Sequence, residues 1–211
     1  MIISPKRRFA FVHIPKTGGT SFAIAYEDRA AAEDVLIGDT PKARRRKGRL
    51  AGVDVPGRLW KHSALHEVGD LVPDDYFVCT LVRHPWDRMV SYYHWLRTQV
   101  FDHPAVAVAK TQDFAGFLRD PMIQRSLRQN PYSSYVRGQN DVDRCAAFVR
   151  LEYPEDFAPV WEHLGFQLSL PHVNQSQRDL DWRRYYDPES FEIVGEIASD
   201  DIVRFGYQSM L

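Results

Sequence analysis

Three short apolar runs constrain this chain most: FAFVHI at residues 9–14, YFVCTLV at 76–82 and AAFVRLE at 146–152. The first two lack the polar alternation of a strand with one wet face, so both read as strands buried on both sides. Each of these two runs straight into a polar turn, PKTGG and RHPWDR, with helical sequence beyond. Strand and helix in alternation predict an α/β fold, P-loop-like and three-layered, with a central, mostly parallel sheet flanked by helices.

The rest of the chain is organised around these runs. Thr20 to about Ala32 is alanine-rich and reads as a helix, and SALHEVGDLV (63–72) as a short helix with Ser63 as its cap. Residues 38–58 combine glycine, proline and the basic run ARRRK (43–47), and read as a mobile basic loop. That run is either an ordinary solvated face or a guide for an acidic polysaccharide. After 76–82 a helix is expected, with Pro85 at its first position and Asp87 at its positive end. Trp86, Met89, Val90 and Tyr93 then share an apolar face, away from Asp87 and Ser91. Residues 101–140 read as short helical pieces broken by Pro104, Pro121 and Pro131. A helix is expected at 154–165, an extended polar loop at 169–182 and a last helix at 188–207. With 211 residues the chain is expected to form a single domain, 1–211.

A formal net charge of -1 implies no global attraction to nucleic acid or a membrane surface, so any anion site must be local. No run reaches the roughly 18 apolar residues of a membrane span. Cys79 and Cys145 show no CxxC or metal-ligand spacing and read as small hydrophobes, so a reducing cytoplasm is expected.

Both strand-to-helix turns suit anions, and open α/β sheets bind ligands at such places. In the first, Gly18 and Gly19 let backbone N–H groups approach a ligand, and Thr17, Thr20 and Ser21 add hydroxyls at a helix N-terminus. Lys16 reaches the ligand from the strand side. In the second, Arg83 suits bidentate recognition of phosphate, and Ser91 follows two turns into the helix. Two separate anion turns point to a ligand with two separated phosphate groups, such as one phosphorylated at both ends of its ribose. ATP fits less well, because no GxxxxGK[ST] loop is present to hold Mg²⁺.

HIPKTGGTSF resembles the 5′-phosphosulfate loop of sulfotransferases, and LVRHPWDRMVSYY resembles their 3′-phosphate motif. The likeness is greatest to Golgi-type carbohydrate sulfotransferases of the heparan 2-O and chondroitin 4-O kind, and to their bacterial relatives. It extends over FVRLEYPEDFAPVWEHLG, LPHVNQSQRD and YYDPESFEIVGEIASDDIVRFGY, and is weakest at 38–58 and 101–135. The resemblance implies sulfuryl transfer from 3′-phosphoadenosine 5′-phosphosulfate to an acceptor hydroxyl, releasing adenosine 3′,5′-bisphosphate and requiring no metal. It implies that residues 16–21 hold the 5′ end and that Arg83 and Ser91 hold the 3′-phosphate. Lys16 would stabilise charge on the leaving oxygen.

His62, in WKHSALHEV, falls where the family carries its catalytic histidine, with His66 and Glu67 as alternatives for the base. His13 is expected to be packed, His84 to cap its helix, and His172 to lie on the loop at 169–182. On that loop Arg178, with Asn174 and Ser176, would cover the cofactor. Glu152 reads as a buried partner of an arginine. Trp60, Tyr92, Tyr93 and Trp95 either stack on a sugar or line a core. The acceptor is expected to be a glycan or another hydroxylated small molecule. The chain lacks the anchor and disulfide pattern of Golgi members, so a bacterial, cytoplasmic enzyme is expected. Two rivals remain: an ATP-dependent small-molecule kinase, and a non-catalytic nucleotide- or glycan-binding protein of the same fold.

Overall fold

The structure is a computed structural model and describes residues 1–171, 173 and 178–208. The chain divides into two compact units, Met1–Val82 with Tyr132–Asn174, and Arg83–Pro131 with Gln175–Leu211.

The first unit carries a five-stranded sheet of β1 (Ile2–Ser4), β2 (Phe9–Val12), β3 (Val35–Leu36), β4 (Phe77–Val82) and β5 (Cys145–Arg150), in the order β3-β1-β2-β4-β5. The three longest strands run parallel: Phe9 to Val12 pair with Phe77 to Thr80, and β4 pairs with β5 as far as Val82 opposite Arg150. The short β1 adds antiparallel to both β2 and β3. The three apolar runs therefore form the parallel part of a mostly parallel sheet, with β2 and β4 inside it and β5 at one end.

Burial on both faces is visible residue by residue. Phe9 and Phe11 enter one core with Cys79, Leu81, Ala147 and Val149, while Ala10, Val12 and Val78 enter the other. The first core is closed by Phe22 and Tyr26 of α1 (Gly19–Glu27) and by Val160 and Leu164 of α8 (Ala158–Leu164). Leu65 and Val68 of α3 (Leu65–Val68) close the second. Helices thus cover both faces, which gives the three layers.

Residues 41–50 are not a loop. Pro41–Arg46 forms α2, and a 3-10 turn continues to Leu50. The buried carboxylate of Glu27 holds this segment from a distance. It accepts from the Thr40 hydroxyl at 2.6 Å and from the N–H groups of Lys42 at 3.0 Å and Ala43 at 2.8 Å. Arg46, inside the basic run, donates to the carbonyls of Ala31 and Asp34, so part of that charge is structural.

The second unit is helical: α4 (Pro85–Arg97), α5 (Pro104–Thr111), α6 (Phe114–Arg119), α7 (Pro121–Gln129), α9 (Pro188–Ile197) and α10 (Ser199–Phe205). Its core forms around Trp86, whose ring stacks on Phe191 at 4.7 Å and whose Nε1–H donates to the Phe191 carbonyl at 3.0 Å. Trp86, Met89, Val90 and Tyr93 are all buried, as their spacing requires. Pro104 and Pro121 open helices rather than break them. The last helix is two helices, meeting at Ala198. No helix among the described residues is long and apolar enough to cross a membrane.

Candidate active site

The residues singled out by the sequence fall on both units. In the first, β2 delivers the chain into a tight turn before α1. Lys16 takes a left-handed backbone with φ 68°, and Gly18, the N-cap of α1, has φ 87°. A lysine there is strained where glycine is not, and such strain gathers at functional turns. Gly19 is required for another reason. A Cβ at this position would lie 2.2 Å from Cδ2 of His13, so the ring of that buried histidine occupies the space under the turn.

The first N–H groups of α1 lack intrahelical acceptors by construction, which makes this end receptive to an anion. Thr20 and Ser21 stand partly exposed here. Thr17 differs from the expected hydroxyl donor: it is fully buried and donates to the Ile14 carbonyl at 2.9 Å. Its hydroxyl fixes the turn, leaving its backbone for a ligand.

His62 joins this turn through His13. Its Nδ1 lies 2.7 Å from the His13 carbonyl, and the two rings meet edge-on at 4.6 Å. A carbonyl only accepts, so Nδ1 bears the proton and Nε2 carries the lone pair. Burial pushes the His62 pKa down to about 4, the His13 carbonyl opposes this, and the charge on Lys61 adds to it. Burial likewise pushes His13 well below the usual imidazole range. A neutral imidazole of fixed tautomer, ready to accept a proton at Nε2, is the form that a general base takes.

The alternatives for the base are placed differently. His66 is exposed. Glu67 accepts from the Ala64 N–H at 2.7 Å and so serves the start of α3. Ser63 does not cap that helix. Its hydroxyl donates to the carbonyls of Arg58 and Trp60 and pins the turn that carries Trp60 and His62. Trp60 is 38 % exposed, edge-on to His62 at 5.1 Å, with the Arg58 guanidinium 4.9 Å from its ring. Glu152 is exposed rather than buried, and Arg150 pairs with Asp156 at 2.6 Å.

In the second unit, the Nε and Nη2 groups of Arg83 donate to Oδ2 of Asp87 at 2.8 and 2.5 Å. Arg178, distant in sequence, donates from Nη2 to the other oxygen, Oδ1, at 2.5 Å. Ser91 is buried one turn beyond Asp87 on the same face of α4. The structure thus gathers Arg83 and Arg178 on one carboxylate. His84 takes the N-cap position of α4 but makes no cap hydrogen bond; its ring packs among Trp86, Trp182 and Tyr207. His172, Asn174 and Ser176 lie outside the described residues.

His94 went unnoticed in the sequence. It continues the face of Asp87 and Ser91, and among the described residues its Nε2 is buried without a hydrogen-bond partner, as is Nη1 of Arg178. The spacing of 87, 91 and 94 was the available signal.

No curated protein sequence matches the chain. Among solved structures it is similar to mouse sulfotransferase SULT7A1 complexed with PAP, with a TM-score of 0.51 and 16% identity over 95% of this chain and 85% of that one. That likeness extends to the fold. A sequence model described as the sulfotransferase family matches residues 1–184. With most of its length matched, the chain belongs to the sulfotransferase family.

Proposed function

We propose that the chain transfers a sulfuryl group from 3′-phosphoadenosine 5′-phosphosulfate to a hydroxyl of a carbohydrate acceptor, with residues 1–211 acting as one domain. The observation that carries this reading is the union of a strained glycine turn and a neutral, tautomer-fixed histidine through His13. That the mouse sulfotransferase of like fold is complexed with PAP supports the choice of donor.

The residues present fit such a donor. The N–H groups that open α1 suit a phosphate-type group, and among the described residues Nη1 of Arg178 and Nε2 of His94 are buried without hydrogen-bond partners. Lys16, Gly18, Gly19, Thr20, Ser21 and the backbone of Thr17 would hold the 5′ end. Arg83, Ser91 and Arg178 would hold the 3′-phosphate. When bound, the donor supplies an activated sulfuryl group for the acceptor oxygen.

His62 accepts the acceptor's hydroxyl proton at Nε2, while its Nδ1–H stays on the His13 carbonyl. Lys16 offsets negative charge at the leaving oxygen, assisted by the N–H groups that open α1, with no metal required. Trp60, exposed beside His62, offers the kind of aromatic face on which a sugar ring stacks, which supports a carbohydrate acceptor. The two cysteines, both free, are consistent with a bacterial, cytoplasmic setting.

Calorimetric titration tests the donor site. Adenosine 3′,5′-bisphosphate is expected to bind without metal and to weaken in Arg83→Ala. Binding of Mg-ATP in its place would turn the assignment to a kinase.

A further inference from the structure

Asp87 stands in the first turn of α4 with a guanidinium on each carboxylate oxygen, Arg83 on Oδ2 and Arg178 on Oδ1. Two guanidiniums thus share one carboxylate, each engaging a different oxygen. The Arg178 side chain is only 7 % exposed, and its Nη1 has no partner among the described residues. A buried donor left unpaired is costly, and a built site resolves that cost with a ligand atom. His94 points the same way: among the described residues its Nε2 is also buried without a partner, on the α4 face that carries Asp87 and Ser91.

We propose that Asp87 is a positioning residue, which holds both guanidiniums in the orientation that a phosphate group requires. Oδ2 engages the Nε and Nη2 edge of Arg83, and Oδ1 engages Nη2 of Arg178, so Nη1 of Arg178 is the donor kept for the ligand. Without the carboxylate the two like charges repel and each side chain regains its rotamers, so the clamp must be ordered at the moment of binding. The inference rests on the reading that this cluster takes the 3′-phosphate.

The sign of one substitution separates positioning from simple charge. A carboxylate beside a phosphate repels it, so if Asp87 acted only through its charge, Asp87→Asn would tighten anion binding. Positioning predicts the opposite. Calorimetric titrations with adenosine 3′,5′-bisphosphate and adenosine 5′-monophosphate measure the preference due to the 3′-phosphate. In Asp87→Asn that preference should fall roughly tenfold or more, the worth of one charge-assisted hydrogen bond, with monophosphate affinity unchanged. Asp87→Glu, which keeps the charge, should restore part of it.

An unchanged or larger preference in Asp87→Asn would overturn the inference while leaving the phosphate site standing. Absence of any preference in the unaltered protein would instead overturn the phosphate reading, and the role of Asp87 with it. Should Asp87→Asn not fold, Arg178→Gln provides the check, since it leaves the Arg83–Asp87 pair in place. Loss of the preference there supports the clamp, and a full preference overturns it.

Discussion

The Nδ1–H of His62 donates to the backbone carbonyl of His13 at 2.7 Å, so the residue that presents the lone pair is held by the residue that fills the space beneath Gly19. This bond fixes the tautomer, and burial holds the pKa at about 4. A base works when neutral, so the acid limb of kcat/KM should lie near pH 4, well below the usual imidazole value of 6.5. A pH–rate profile of the free enzyme checks this, and a limb at 6.5 would contradict it. His62→Ala should lower kcat by about 10² or more.

The same depressed value predicts how stability varies with pH. The unfolded chain takes up the proton at 6.5 and the folded chain only at about 4, so the contribution is complete above 6.5 and lost as pH falls toward 4. Urea midpoints measured across that window should decline more gently in His62→Asn than in the parent. Part of the slope will remain, because burial depresses His13 as well.

Lys16 couples strain to activity. With φ at 68°, its backbone suits glycine better than lysine. Lys16→Gly should therefore keep or raise the thermal midpoint, by the equivalent of up to about 1 kcal/mol, while kcat falls by about 10² to 10³. Calorimetric melting and initial rates on one preparation test both halves. A variant with full activity would remove Lys16 from the mechanism.

Gly19→Ala should fail for a steric reason. The new methyl would meet the His13 ring at 2.2 Å, and overpacking of this kind costs about 1–3 kcal/mol. Thermal denaturation should show that loss, and the double variant with His13→Ala should recover part of it. Unchanged stability in the single variant would mean that the turn is not seated on His13.

Glu27 is predicted to hold the basic segment in place. Removing a buried carboxylate that accepts from Thr40, Lys42 and Ala43 strands those donors, at about 1–3 kcal/mol. Hydrogen exchange in Glu27→Ala should quicken at residues 42–50 before it quickens in β4.

The centre of the sheet was legible because parallel strands buried on both faces leave an unbroken apolar signature. β1 and β3, three and two residues long, leave none. The helix at Pro41–Arg46 was hidden because its support comes from Glu27, on another helix, and no local pattern records that. Proline misled for a related reason: Pro104 and Pro121 occupy the first helical position, where their missing N–H costs nothing. At the proposed site, the turn that carries Lys16, Gly18 and Gly19 was legible as a glycine pair between an apolar strand and a helix. The pairing of Arg178 with Asp87 spans the chain, and only the fold brings it about.

The order of the strands also bears on how the chain is made. β4 and β5 are neighbours, yet the segment Arg83–Pro131 of the other unit is inserted between them in sequence. During synthesis β4 can pair with β2 at once, while its other edge waits for roughly sixty more residues to emerge, some seconds at ordinary elongation rates. Throughout that interval Phe77–Val82 presents an apolar, hydrogen-bond-hungry rim that invites another nascent chain. Slower elongation across residues 83–144 would lengthen that exposure, so yield should depend on translation rate and on chaperones that shield strand edges.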